Sequence, residues 1–208
     1  MSITILIIIV TAIVSFVAFQ NKDLRARLIF YPVSIKDYNQ HYRWITSGFV
    51  HADTTHLFFN MFALFSFGSN VESIFLQEFG SLGKLYFLIL YITAIPLASM
   101  YDYFTNKDNP RYAALGASGA VAAIIFASIM YEPLGKIYMY FIPIGIPSVV
   151  FGVLYLVYSY YMSQKANDNI GHSAHFYGSV YGVLFTIATN PQVVPHFIHI
   201  ITNFKNYY

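Results

Sequence analysis

The sequence predicts an all-α membrane protein, a bundle of six transmembrane helices. Of its 208 residues, 57% are hydrophobic and only 10% are charged, whereas a soluble domain carries about 25% charged residues. Six apolar segments are long enough for a spanning helix, which needs roughly 20 apolar residues. Polar turns separate them, so residues 1–208 are expected to form a single membrane domain.

The six predicted spans follow the apolar runs and end at turn signals. They are Ser2–Phe19, Thr54–Val71, Lys84–Tyr103, Leu115–Tyr131, Lys136–Met162 and His172–Thr189. The first could be a signal peptide, but no Lys or Arg precedes its apolar run and no small-residue cleavage motif follows, so we favour a spanning helix. Pro143 and Pro147 interrupt the fifth, whose start is either helix or a loop that ends near Pro147.

The first loop, residues 20–50, separates the first two spans. It mixes Lys and Arg with bulky apolar residues such as Phe30 and Trp44. That mixture fits an amphipathic element associated with the membrane interface and, equally, a plain soluble loop. Six spans put both termini on one side, and the Lys and Arg excess in the opposite loops places the termini outside by the positive-inside rule.

Composition excludes several classes of function. The chain has no cysteine, which rules out disulfides, thiolate metal sites and a cysteine nucleophile. Its net charge is only +2 and no Lys/Arg cluster forms a basic stripe, so we expect no nucleic-acid partner. We expect no cofactor, and the sequence leaves the oligomeric state undetermined.

Polar residues at membrane depth are costly, so they are candidates for function. In the second span His56 and Asn60 are four residues apart and share one helix face, with His51 at the helix entrance. A lone histidine there would be a satisfied hydrogen-bonding group between helices. The pair in a helix otherwise rich in Phe, Leu and Met favours function.

The fourth span opens with "GASG", which places Ser118 between Gly116 and Gly119 near a helix N-terminus. There the first backbone N–H groups lack intrahelical partners and the helix dipole is positive, an arrangement that suits an oxyanion. Small residues at this spacing are also common helix-packing seams, and on its own the motif favours packing.

The sixth span carries Gly171, His175, Gly178 and Gly182 on one face. This small-residue face matches that of the fourth span. If the two helices pack together, Ser118 and His175 come within hydrogen-bond reach as nucleophile and general base. No Asp or Glu is predicted in a helix interior near His175, so the pair would be a dyad. With His56 and Asn60 as donors, these residues satisfy the requirements of an acyl-transfer site.

These motifs occur in the order "YRWITSGFVHADTTHLFFNMFALFSFGSNVE", "GASGA" and "AHFYGSVYG". Over about Tyr42 to Leu184 the chain resembles the rhomboid family of intramembrane serine proteases. The resemblance implies a six-helix bundle of the rhomboid type, Ser118 as nucleophile and His175 as general base. It also implies an oxyanion hole made by the Ser118 N–H and by the side chains of Asn60 and His56.

The resemblance implies structural roles as well. His51 would form a hydrogen bond near the loop, Arg43 would order the first loop, and Glu72 would close the second helix. Gly178 and Gly182 would pack closely against the fourth helix. One departure is Ala122, where studied members carry an aromatic residue that stacks on the catalytic histidine. We expect Tyr177 or Tyr181 to orient His175 instead.

The implied substrates are transmembrane protein helices with a small residue before the cleaved bond and a helix-weakening segment after it. The expected partners are therefore such substrates and the lipid bilayer. The implied location is a prokaryotic cell membrane, with cytoplasmic termini and the active site facing the outer side. On the termini we follow the resemblance rather than the charge count, because most of the opposing charges lie in the first loop.

Two alternatives belong to other functional classes. A rhomboid-like pseudoprotease would bind helices as a membrane chaperone or adaptor without cutting them, although such relatives typically lack the serine or the histidine. A metal-binding membrane protein would use His51, His56, His172 and His175, but no carboxylate or thiolate accompanies these histidines and Ser118 would have no role.

Overall fold

The computed structural model describes residues 2–139, 142–165, 168 and 170–206, and the chain is mostly helical. The helices are α1 (Ile3–Gln20), α2 (Lys22–Leu28), α3 (Pro32–Tyr38), α4 (Arg43–Thr46), α5 (Thr54–Ala63), α6 (Ser69–Phe79), α7 (Gly83–Ala98), α8 (Met100–Asn106), α9 (Ser118–Tyr131), α10 (Ser148–Lys165), α11 (His172–Thr189) and α12 (Val193–Thr202). One antiparallel hairpin, β1 (Lys136–Met139) and β2 (Ile142–Pro147), pairs Lys136 with Pro147.

Two helical stretches in the described part of the chain are long and apolar enough to cross a bilayer. They are Ile3–Gln20 and Thr54–Asn106, while Ser118–Tyr131 and Val193–Thr202 are shorter apolar helices. The mostly helical architecture is as predicted, whereas the count of six spans stays a prediction.

Helix α9 is the centre of the bundle. Twelve of its 14 residues are buried, and it packs most extensively against α11 and α7. The glycines of α11 allow this approach: a Cβ built on Gly178 would overlap the backbone of Gly119, and one on Gly182 would overlap that of Ala123. The two helices therefore meet backbone to backbone along a seam that only glycine permits.

Several element boundaries differ from the predicted ones. The first part of the predicted fifth span is the β1–β2 hairpin, and helix α10 begins at Ser148. This confirms the alternative in which the helix begins near Pro147. The second helix continues to Phe79, through a π-helical turn at Leu64–Gly68. Sequence analysis missed α12, whose ten residues are too few for a span and were therefore not recognised.

Residues 20–50 fold as three short helices rather than as an extended loop. Arg43 is buried within them, and its guanidinium donates to the Ala26 and Ile29 carbonyls at 2.9 and 2.8 Å and to Gln40 Oε1 at 2.6 Å. One planar group thus satisfies carbonyls at the end of α2 and fixes α4 beside it. Association of this segment with the membrane interface stays a prediction.

Candidate active site

His51 is fully buried at the entrance to α5, and its ring links three segments of the chain. Nδ1 lies 2.9 Å from Ser15 Oγ on α1, and Nε2 accepts the Ala117 N–H at 3.4 Å. Ser15 Oγ in turn donates to the Phe49 carbonyl at 3.0 Å. Because Nε2 accepts, the neutral ring carries its proton on Nδ1 and donates it to Ser15. Burial lowers the pKa of His51 to about 3, which keeps the ring neutral.

His56 lies in the first turn of α5 with its ring against the loop that precedes α9. Its Nδ1 accepts a long hydrogen bond of 3.5 Å from the Ala52 N–H, so the neutral ring carries its proton on Nε2. A Cβ built on Gly116 would lie 2.7 Å from Cε1 and 3.0 Å from Nε2 of this ring. Only glycine at position 116 leaves room for the imidazole, which brings an N–H donor close to the start of α9.

Asn60 lies one turn further along α5 and is 8% exposed. Its Nδ2 donates to the His56 carbonyl at 3.0 Å, which uses one of the two amide hydrogens. No second partner for this amide occurs among the described residues. Asn60 and His56 thus form one donor-bearing face of α5, as their spacing of four residues predicts.

The loop from Ala114 to Ala117 is anchored by residues of the first loop. Phe30 and Ala114 exchange two backbone hydrogen bonds of 2.9 and 3.0 Å, and the Gly116 N–H donates to the Ser47 carbonyl at 2.9 Å. Gly116 has a φ of 117°, a conformation that favours glycine and cannot belong to a right-handed helix. The predicted helix start at Leu115 was therefore wrong.

Ser118 is the first residue of α9 and is half-buried. The N–H groups of this first turn have no partner within the helix, and the dipole end there is positive. The Ala117 N–H just before it is bound by His51, which fixes the direction in which α9 begins. A negative oxygen beside Ser118 would meet these donors together with the Nε2–H of His56.

His175 lies in the first turn of α11, which packs on the first turn of α9. A Cβ built on Gly119 would lie 3.2 Å from the Ala174 carbonyl oxygen, and Gly178 follows within one further turn. The packing places Ser118 and His175 at the same end of the seam. No hydrogen bond joins their side chains in the described part of the structure, so their pairing as a dyad stays a prediction.

The ring that stacks on His175 is neither of the two that we expected from the sequence. Tyr177 stacks on Tyr101, with ring centroids 5.0 Å apart, and the Tyr181 hydroxyl lies 2.6 Å from Thr93 Oγ1. The ring that lies face to face with His175 is Tyr155 of α10, at 6.0 Å between centroids and 26° between planes. Sequence reasoning could not find it because α10 and α11 meet only in the folded chain.

A polar cavity of about 300 Å³ lies at the start of α11. Asp102 of α8, which is 5% exposed, accepts a hydrogen bond of 2.5 Å from Ser173 Oγ, two residues before His175. Asp168 Oδ2 lies 3.2 Å from Nε2 of His172. Hydrogen bonds from the Ile170 N–H and then from His172 hold the pKa of the Asp168 carboxyl below its usual value.

The expectation of a dyad without a carboxylate partner stays a prediction; the carboxylate that reaches α11, through Ser173, is Asp102. This residue stood inside the third predicted span, and an acidic residue there is a candidate for function by default. Its contact is with Ser173 rather than with the His175 ring, so it does not convert the predicted dyad into a triad.

Glu72 lies far from this site and anchors the start of α1. It is 4% exposed, and its carboxylate accepts the Ile3 and Thr4 N–H groups at 2.8 and 2.9 Å. The Ser2 and Thr4 hydroxyls donate to it at 2.6 and 2.8 Å. A buried carboxylate at a helix N-terminus satisfies donors that have no partner in the helix and complements the dipole.

The four histidines of the metal-binding alternative form two pairs. The ring centroids of His51 and His56 are 5.0 Å apart, and those of His172 and His175 are 6.2 Å apart. Over the residues that the structure describes, no group of three or more His, Asp or Glu side chains is placed to hold a metal ion.

Comparison with known proteins identifies the family. Residues 38–192 match the Rhomboid domain family. The chain belongs to the rhomboid family, which includes serine proteases. The chain is 31% identical over 144 residues to RHOMBOID-like protein 12, mitochondrial, of Arabidopsis thaliana; the match covers 65% of this chain and 42% of that protein. It is 26% identical over 147 residues to the Presenilin-associated rhomboid-like protein, mitochondrial, of both Mus musculus and Homo sapiens, covering 68% of this rhomboid chain and 36% of each relative.

The matched region thus spans less than half the length of these relatives. Each of them is named as a mitochondrial protein. This finding contradicts the predicted location in a prokaryotic cell membrane with the site facing its outer side. The motifs that carry the rhomboid resemblance point to the family and not to a particular membrane.

Proposed function

We propose that this chain is an intramembrane serine endopeptidase that cleaves transmembrane helices of other membrane proteins. The observation that carries the proposal is the glycine seam between α9 and α11, which places Ser118 and His175 in adjoining first turns. Family membership supports the same chemistry, because the rhomboid family includes serine proteases. The mitochondrial relatives support a mitochondrial membrane as the location.

The bundle is proposed to cross the membrane six times, through α1, α5–α6, α7–α8, α9, α10 and α11. Helix α9 has 14 residues, so it is about 21 Å long, shorter than the roughly 30 Å hydrocarbon core. Its buried position makes a full span unnecessary, since the surrounding helices separate it from lipid. Ser118 then lies below one membrane surface, at a depth where a substrate helix can reach it.

The reaction follows from the residues at the start of α9. His175 accepts the Ser118 hydroxyl proton as the oxygen attacks the scissile carbonyl. The oxyanion is stabilised by the Ser118 N–H, the Nε2–H of His56 and the second amide hydrogen of Asn60. His175 then protonates the leaving amine, and water hydrolyses the acyl ester. This water would enter through the polar cavity at the start of α11, which Asp102, His172 and Ser173 line.

The expected substrate class follows from how easily the scissile peptide bond can be reached. A peptide bond inside a helix is hydrogen-bonded and shielded, so its carbonyl is reached only after the helix unwinds locally. We expect substrates with a small residue before the cleaved bond and a helix-weakening segment after it.

The test uses purified protein in lipid vesicles with a panel of single-span substrates. Ser118→Ala and His175→Ala should each abolish cleavage, while Ser128→Ala, on the same helix as Ser118, should cleave normally. A fluorophosphonate probe should label the wild type and not Ser118→Ala. Labelling that survives in Ser118→Ala would exclude Ser118 as the nucleophile.

The pseudoprotease alternative is the second candidate, because the mitochondrial relatives are named only as rhomboid-like proteins. It predicts substrate binding without turnover across the whole panel. Cleavage by the wild type that Ser118→Ala abolishes would exclude it.

A further inference from the structure

No aromatic ring of α9 stacks on His175 among the residues that the structure describes. Ala122, one turn beyond Ser118, is 1% exposed and has only a methyl group. The face of the imidazole is instead covered by Tyr155, 6.0 Å away with 26° between the ring planes. Offset stacking of this kind restrains how an aromatic ring can rotate.

Tyr155 is itself held from two further directions. Phe151 of α10 stacks on it at 5.7 Å and 26°, and Phe126 of α9 lies at 6.0 Å and 44°. Its ring therefore lies where α9, α10 and α11 meet. The His172 ring also lies edge-on to His175, at 6.2 Å between centroids.

Among the aromatic rings of α10 in the described structure, Tyr155 is the one that stacks on His175, whereas Tyr158 meets His172 edge-on at 5.6 Å between centroids. A peripheral helix supplies a contact that the central helix cannot.

We propose that Tyr155 is the positioning residue for His175. The inference rests on the proposed function, in which the imidazole must face Ser118. The Tyr155 ring restricts rotation of the imidazole about its χ2 angle. Because the contact is made by the flat face of the ring, Phe at this position should restrict the imidazole as well as Tyr does, whereas an aliphatic side chain should not.

The test compares Tyr155→Phe, Tyr155→Leu and Tyr155→Ala with a control, Tyr161→Ala, whose ring is 54% exposed and lies on the same helix. Leu fills most of the volume without a planar face, which covers the case in which the Ala variant fails to fold. We expect Tyr155→Leu to lower kcat about tenfold with an unchanged KM. Tyr155→Phe and the control should match the wild type.

A second measurement distinguishes an effect on the Ser118–His175 pair from an effect on substrate entry. The labelling rate of Ser118 by a small fluorophosphonate should fall in Tyr155→Leu by the same factor as kcat. A rise in KM alone, or an equal loss of activity in Tyr155→Phe, would overturn the stacking role.

Failure of this inference is distinguishable from failure of the proposed function. A wild-type chain that neither cleaves nor labels would overturn both. A wild type that cleaves and labels normally, with Tyr155→Leu unchanged in both assays, would overturn only the role of Tyr155.

Discussion

The substitution Gly178→Ala tests whether the close approach of α9 and α11 is required. An ideal Cβ at this position would lie 2.9 Å from the carbonyl carbon and 3.1 Å from the Cα of Gly119, with the carbonyl oxygen nearer still. These are backbone atoms, which cannot rotate away. Ordinary contact begins at 3.4 Å, so the helices must separate by about 1 Å to clear the carbonyl oxygen.

The expected loss of stability in Gly178→Ala follows from overpacking, and the expected loss of cleavage rate follows from misplacement of the reacting groups. Forcing an extra methyl group into a well-packed interior costs about 1–3 kcal/mol, and a rigid backbone neighbour favours the upper end. A shift of about 1 Å between reacting groups can lower a rate about 100-fold. Gly178→Ala should therefore lose about 3 kcal/mol of unfolding free energy and at least tenfold of the cleavage rate.

The assay has a control at the residue that precedes α11. A Cβ on Gly171 would meet only Ala174 Cβ at 3.7 Å, so Gly171→Ala should retain stability and activity. Gly182→Ala repeats the clash against Ala123 further from His175, and it should lose stability with less effect on rate. Denaturant unfolding in detergent and substrate cleavage measure the two quantities. Wild-type values of both in Gly178→Ala would refute the reasoning.

Three further perturbations test buried polar side chains that join separate segments of the fold. Glu72→Gln should lower the unfolding free energy by about 2 kcal/mol, because it weakens charge-assisted bonds to the start of α1; exposed Asp37→Asn, as control, should not change it. Arg43→Lys should cost about 2 kcal/mol, since an ammonium cannot reproduce three guanidinium bonds, whereas exposed Arg27→Lys should be neutral. The pKa of His51 is lower in the folded chain than in the unfolded chain, so the unfolded chain binds the proton first as the pH falls. The contribution of His51 to the unfolding free energy is therefore complete above about pH 6.5 and is lost progressively as the pH falls toward about 3. Unfolding at pH 5 should therefore show a loss of about 2 kcal/mol relative to pH 7.5, and an equal loss in His51→Asn would contradict this origin.

Local signals in the sequence predicted much of the helical layout. The sixth predicted span has the bounds of α11, because a glycine precedes it and an Asn-Pro pair ends it. The predicted start of α9, Leu115, is three residues before the observed start, Ser118. The error came from reading Leu115 as the first helical residue, when the backbone at Gly116 is set by the His56 ring and the Ser47 carbonyl.

The parts that the sequence could not predict depend on contacts between distant segments. Tyr155 reaches His175 only after α10 packs on α9, and Asp102 reaches Ser173 across 71 positions of the chain. Nothing in the local pattern of either partner distinguishes these pairs from the many other aromatic and polar residues. The glycine seam could be predicted from the sequence, because α9 and α11 each carry small residues at helical spacing.

The first loop belongs to the site although none of its residues is proposed to touch substrate. The segment before Ser118 is held by two backbone bonds to Phe30, one to Ser47 and one to His51. Phe30 lies outside residues 38–192, the region that matches the family. The position of Ser118 is therefore set in part by a segment beyond the matched region. His51 extends this link to α1 through Ser15, so the geometry at the start of α9 depends on helices that do not contact the reacting groups.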